Sequence, residues 1–193
     1  MAVKAVWQYY IPTQDVLRLL ELFRRMINDA IRIALAYDAT TLRRVSLLAY
    51  NELAPYDSPS YFKLCAISRA AGILAARKKS IRRGFITRTV YAFRQQLVSC
   101  YGFKIENGYL HIPVSRGKHF SIPLTRHTLE IISQPGIKVR SFTLTRNRLS
   151  LCIARDTPRI ECTSTIGVDR NLRNLKPRLL CLSSPLSHGT MIE

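Results

Sequence analysis

A chain of 193 residues can bury a sizeable core, as one domain or two small ones. Thirty Lys and Arg against twelve Asp and Glu leave a net charge of +18 and an isoelectric point near 10.3, so the partner to expect is a polyanion, nucleic acid first, gripped through counterion release. No run approaches the roughly twenty apolar residues of a spanning helix, and Lys4 and Gln8 break the only early apolar run, which argues against a signal peptide and a membrane partner and for a soluble cytoplasmic, nucleoid-associated protein.

Residues 3–11 are rich in aromatic and β-branched types and read as a strand ending before Pro12. Thr13 then caps an amphipathic helix reaching about Tyr37. In it Arg18, Glu21, Arg25, Asn28 and Arg32 mark the polar face, while Leu19, Leu20, Phe23, Met26, Ile27, Ala30 and Ile31 fill the apolar one. A second helix is expected over 41–53, stopped by Pro55. Ser58-Pro59 looks like a helix start, with the serine as cap and the proline in the first turn.

The third helix, 59–80, is rich in small residues (Ala66, Ala70, Ala71, Gly72, Ala75, Ala76), which suit close packing against a neighbouring helix or, less expectedly, approach to a nucleic-acid backbone. It runs into Arg77-Lys78-Lys79-Ser80-Ile81-Arg82-Arg83. Between Asp57 and Glu106 there is no carboxylate at all, while the interval carries Lys63, Arg69, Arg77, Lys78, Lys79, Arg82, Arg83, Arg88, Arg94 and Lys104. A run of cations is usually a solvated face, but one with no acid to pair with is best relieved by phosphates. Tyr61, Phe62, Phe85, Tyr91, Phe93 and Tyr101 are interleaved with these cations; some are placed to stack on bases, and most are expected in the core.

From about residue 86 the period changes from helical to two. Segments 103–106 and 109–112 flank Asn107-Gly108, a strong hairpin signal because both turn residues tolerate positive φ. A second turn at 115–118 leads to another strand at 119–122. A short helix over 125–133 and a Pro135-Gly136 turn precede a last hairpin, 139–145 with 149–154, across Arg146-Asn147-Arg148. The resulting fold class is α+β, a small antiparallel β-barrel closed by the strand at the start of the chain, with the helices inserted. Cys65, Cys100, Cys152, Cys162 and Cys181 contain no Cys-x-x-Cys, and His111, His119, His127 and His188 are scattered, so neither a disulfide framework nor a zinc site is signalled.

The string Ile166-Gly167-Val168-Asp169-Arg170-Asn171-Leu172-Arg173-Asn174-Leu175 reads as a strand delivering an acid to its exposed end. Gly-x-Asp at a strand end also occurs at simple turns, and it opens the actin-like kinases. There the following residues are usually small, so that backbone can approach phosphate, and the Arg170 to Arg173 stretch disfavours that reading. The whole string closely resembles the first motif of the RuvC-like nuclease domain in TnpB-type (OrfB) transposon-encoded proteins, relatives of the compact type V CRISPR nucleases. Ile122-Pro123-Leu124 and Val139 to Thr145 carry further, less specific likeness, and the order of elements is similar as well.

What the resemblance implies is an RNA-guided, transposase-associated DNA endonuclease. Its parts would be a first barrel strand at 1–12, a helical recognition-type insert at 13–84, a wedge-like, OB-like barrel at 85–163, and the first strand of an incomplete RNase H/RuvC-like domain at 164–175. A disordered tail is expected at 176–193. Asp169 would match the first catalytic acid and a ligand of Mg²⁺, and RNA and DNA would be gripped by Lys63, Arg69, Arg77, Lys78, Lys79, Arg82, Arg83, Arg88, Arg94, Arg170 and Arg173.

The sequence departs from the family after Leu175. Pro177, Pro185 and a Ser-rich stretch do not favour the next strand, and the only carboxylate side chain after Asp169 is that of Glu193. Two divalent ions need several carboxylates. The expectation is therefore a chain that binds nucleic acid, holds no Mg²⁺ stably and does not cut unaided. The alternatives are a nuclease completed by a partner chain supplying the missing acids, or a basic structural RNA-binding protein of ribosomal type.

Overall fold

The computed structural model describes residues 2–85, 88–115, 117–156, 165–171 and 174–180. The chain divides into two units, 1–156 and 157–193. The first is α+β. It begins with β1 (Ala2–Tyr9), followed by three helices, α1 (Gln14–Ala36), α2 (Leu42–Ala49) and α3 (Ser60–Arg82). Then come β2 (Leu97–Ser99), β3 (Lys104–Glu106), β4 (Tyr109–Ser115), β5 (Lys118–Pro123), α4 (Arg126–Ile132), β6 (Ile137–Leu144) and β7 (Arg148–Arg155).

Helix boundaries follow from local chemistry. The Thr13 hydroxyl accepts from the Val16 N–H at 3.4 Å, which caps α1, and Thr125 does the same for α4 with Thr128 at 3.3 Å. α1 ends in a Schellman arrangement. Asp38 takes φ 46°, and the Ala39 and Asp38 N–H groups return to the Ala34 and Leu35 carbonyls. α3 ends in the same way at Gly84, φ 80°, with the Phe85 and Gly84 N–H groups on Ser80 and Ile81. At the start of α3 the expected serine cap is not made. Pro59, with ψ 143°, is itself the residue just outside the helix, and the buried Ser58 hydroxyl finds no hydrogen-bond partner among the described residues.

The strands make two antiparallel sheets, β1-β7-β6-β2 and β3-β4-β5, in place of the expected barrel. Closure requires every strand to be paired on both sides; among the described residues β1, β2, β3 and β5 each pair on one side only. β1 does return to the sheet formed late in the chain, pairing with β7 from Ala2↔Arg155 to Tyr9↔Arg148. Asn107 and Gly108 take φ 51° and 80° at the β3-β4 turn, as the Asn-Gly pair implies.

One core joins helices and sheets. Phe23 and Met26 of α1, Phe62 and Ile67 of α3, Leu97 of β2, Leu110 and Ile112 of β4, and Phe142 and Leu144 of β6 are buried in a single cluster. The segments expected as a helical insert and a barrel domain thus share an interior. Gln8 is buried too. Its amide donates to the Pro123 carbonyl at 2.7 Å and accepts from the Thr125 N–H at 3.0 Å, tying β1 to the β5-α4 corner.

In the second unit, β8 (Thr165–Asn171) pairs antiparallel with β9 (Asn174–Leu180). Where one strand over 164–175 and a tail from residue 176 were expected, the range is divided between β8 and β9, and residues 176–180 lie in β9. Pro177, opposite Val168, is tolerated because a two-stranded ladder leaves one side of each strand unpaired. Residues 181–193 lie outside the described residues.

Candidate nucleic-acid interface

α3 builds the first cationic surface. Its inner face packs on α1 and α2 through Phe62, Ala66, Ile67, Ala70, Ala71 and Leu74. The small residues divide between two jobs, since Gly72, Ala75 and Ala76 are exposed, and a Cβ at Gly72 would meet nothing within 4 Å. The outward face is therefore smooth, and it leads into Lys78, Lys79, Arg82 and Arg83, all exposed around the last turn. Cations there favour the negative end of the helix dipole, which accounts for their being tolerated so close together.

Ion pairing separates this group from the cations of α1. Arg18, Arg24, Arg25 and Arg32 are paired along α1 with Asp15, Glu21 and Asp29, and Lys104 and Arg126 have Glu106 and Glu130. Among the described residues, Arg69, Lys78, Lys79, Arg82, Arg83, Arg88 and Arg94 make no ion pair. Lys63 donates to the Ala54 carbonyl at 2.9 Å, a tie to the loop before α3. Arg77 is half-buried and lines a 230 Å³ hollow between the ends of α1 and α3, in which Asp38 is the one carboxylate.

The expected set is thus distributed. Lys78, Lys79, Arg82 and Arg83 cluster on the last turn of α3; Arg69 lies three turns earlier on the same helix, and Arg88 and Arg94 are exposed in the connection from α3 to β2. Asp169 and Arg170 belong to β8 in the other unit, and Arg173 lies outside the described residues.

Four of the six interleaved aromatics overturn the expectation that most are core. Phe85, Tyr91, Phe93 and Tyr101 are exposed, Phe62 is buried, and Tyr61 is half-buried against Gly102. For Tyr91 and Phe93 the cause is a clamp from α1. Asn28 accepts from the Ala92 N–H at 2.6 Å and donates to the Ala92 carbonyl at 3.2 Å, holding Ala92 inward and turning its neighbours out. Gln95 is held in the same manner, donating to Glu21 at 2.7 Å. Hydrogen bonds from Arg24 and then Gln95 keep the Glu21 carboxyl down at about 2.

The clamped segment forms one wall of an open cleft of about 830 Å³ over the β1-β7-β6-β2 sheet. Trp7, Phe93, Arg94, Arg146 and Arg148 line it, with the Arg148 guanidinium 4.4 Å from the Trp7 ring centre. Apart from Arg94, and Phe93 among the interleaved aromatics, sequence reasoning missed this group. Trp7-x-Tyr9 was legible as alternation on a strand, and Arg146-Asn147-Arg148 only as a turn.

The residues that the resemblance assigns to metal do not fit a two-ion centre. Asp169 has Lys176 as its Cα partner in the β8-β9 register and is the only carboxylate residue in these two strands, whereas two divalent ions need several. Among the described residues no three His, Cys, Asp or Glu side chains come together, and no helix is long and apolar enough to cross a membrane. No family model matches the chain, and no characterised protein matches it as a relative.

Proposed function

We propose that this chain is a nucleic-acid-binding protein, and that it corresponds to the part of a TnpB-type RNA-guided DNA endonuclease up to its first RuvC-like acid. The observation that carries the binding reading is the exposed group Lys78, Lys79, Arg82 and Arg83 on the last turn of α3, without an ion-pair partner among the described residues. Four like charges around one helix end repel one another, and phosphates relieve the repulsion while releasing condensed counterions. The smooth face at Gly72, Ala75 and Ala76 allows a sugar-phosphate backbone to lie close to the helix.

In this reading α1 to α3 act as the recognition lobe, the two sheets as the wedge-like, OB-like part, and Asp169 as a vestigial metal ligand. RNA and DNA are the partners. In this reading the 193-residue chain alone grips them without cleaving, because Asp169, the only carboxylate residue of β8 and β9, cannot by itself organise two Mg²⁺ ions. Fluorescence anisotropy with labelled RNA and DNA from low to physiological salt tests the binding; a flat salt dependence overturns it. Incubation with Mg²⁺ and supercoiled or single-stranded DNA tests the second half, which fails if cleavage occurs and Asp169→Ala abolishes it.

A further inference from the structure

We propose that the outer face of the β1-β7-β6-β2 sheet binds unpaired nucleobases of a single-stranded polynucleotide, with Trp7 and Phe93 as stacking surfaces and Arg94, Arg146 and Arg148 on the phosphates. This rests on the nucleic-acid-binding reading above and deepens it, because it concerns a different surface from the end of α3 and a different part of the ligand.

The register defines the floor. Trp7, Ser150, Thr143 and Val98 stand side by side across the four strands, while the residues flanking them in sequence, Val6, Leu149, Leu144 and Leu97 among them, are buried beneath. Beside the indole the sheet therefore presents only a hydroxymethyl, a threonine and a valine, a low strip on which a flat ring can lie. Trp7 is 51% exposed and Phe93 78%. The segment carrying Phe93 is not loose, since Asn28 and Glu21 hold Ala92 and Gln95 on either side of it. Two large aromatics held in fixed positions, facing solvent in one cleft, are what sequence-tolerant base stacking requires.

Charge and shape select the occupant. The single carboxylate lining the cleft, Glu21, is already bonded to Arg24 at 2.6 Å, which leaves Arg94, Arg146 and Arg148 as uncompensated cations. The Arg148 guanidinium sits over the indole, 4.4 Å from its centre, and donates to the Tyr9 hydroxyl at 3.4 Å. A guanidinium held beside the ring widens the contact surface, and its remaining N–H groups are donors for phosphate oxygens. A cleft of about 830 Å³ is in the range that accepts a small organic ligand. Thr143, Thr145, Asn147 and Ser150 make its floor polar, which suits nucleotides better than lipid. A duplex, whose bases are already stacked on each other, gains nothing from the exposed rings.

Trp7 is the only tryptophan in the chain, so its emission reports on this site alone. The full chain is titrated with a uridine decamer, a thymidine decamer and a ten-base-pair DNA duplex, while anisotropy of the same labelled oligonucleotides follows binding. Both single strands are expected to quench Trp7 to saturation, and the duplex to bind without quenching. Trp7→Ala and Arg148→Ala should each weaken single-strand binding about tenfold and duplex binding less than twofold, with Trp7→Phe restoring most of the loss. Trp7 is half exposed, so these variants fold, as far-ultraviolet circular dichroism checks.

Saturable, salt-dependent binding with no change in Trp7 emission, equal quenching by the duplex, or unaltered affinity in Trp7→Ala overturns the stacking site and leaves the broader reading standing. Absence of binding to any of the three overturns both. A blue shift of Trp7 with anionic phosphatidylserine vesicles, and no response to oligonucleotides, assigns the face to membrane and overturns the proposal.

Discussion

The end of α3 and the cleft over β1 are both strongly cationic, yet they are built differently. On α3, long side chains radiate from a helix end, and among the described residues no ion pair holds the heads of Lys78, Lys79, Arg82 and Arg83 in place. In the cleft, arginine is fixed by the ring beneath it, and the aromatics are set by strand register and by the Asn28 clamp. The first arrangement recognises charge and tolerates any path of the phosphates; the second demands a flat partner at a defined height. The contrast shows why charge counting finds one kind of nucleic-acid surface and passes over the other.

The largest expected effect removes the foundation common to both. Phe62 is fully buried in the core that α3 shares with the sheets, so Phe62→Ala should cost about 3–5 kcal/mol. Urea unfolding followed by circular dichroism and by Trp7 fluorescence should lose stability in one shared transition; separate transitions would mean that the two surfaces stand on independent units.

Next, replacing Lys79, Arg82 and Arg83 together by Glu should weaken binding of single strands and duplex alike, by about 100-fold at low salt, and reduce the salt slope by about three. A loss confined to single strands would erase the distinction drawn between the surfaces. Asn28→Ala should have a smaller and selective effect. With Ala92 released, single-strand affinity is expected to fall roughly fivefold while duplex affinity holds, and stability to drop by about 1–2 kcal/mol.

The smallest effect is a pH dependence. The folded protein holds the Glu21 carboxyl down at about 2, against an ordinary value of about 4.5, so the unfolded chain takes up the proton first on acidification. The stabilisation is complete above about 4.5 and is lost as pH falls towards 2. The difference in urea midpoint between the wild type and Glu21→Gln should accordingly shrink between pH 6 and pH 3. A constant difference would detach Glu21 from the wall of the cleft.

Local chemistry made much of the fold readable in advance. Thr13, Asn107-Gly108 and the 3.6-residue rhythm of Leu19 to Ile31 each act through neighbours only a few residues away, and each element they announce is present. The charged end of α3 was legible for the same reason, since Arg77 to Arg83 are consecutive. Ser58 misled because Pro59 satisfies the same pattern from just outside the helix. Pro177 misled because its prohibition applies to strands paired on both sides, and among the described residues β9 is paired on one.

By itself the sequence determined the helices and the hairpin strands, though not β2 or β9, together with the excess of cations and the lack of acids between Asp57 and Glu106. Tertiary structure alone decided that the strands stop at two open sheets, that Phe93 faces water while Phe62 does not, and that Trp7 meets Arg148 across more than a hundred residues. Capping, turn formation and helical periodicity are settled within a few residues. Exposure and cross-strand register depend on which distant segments cover one another, and that is set by the burial of the whole core.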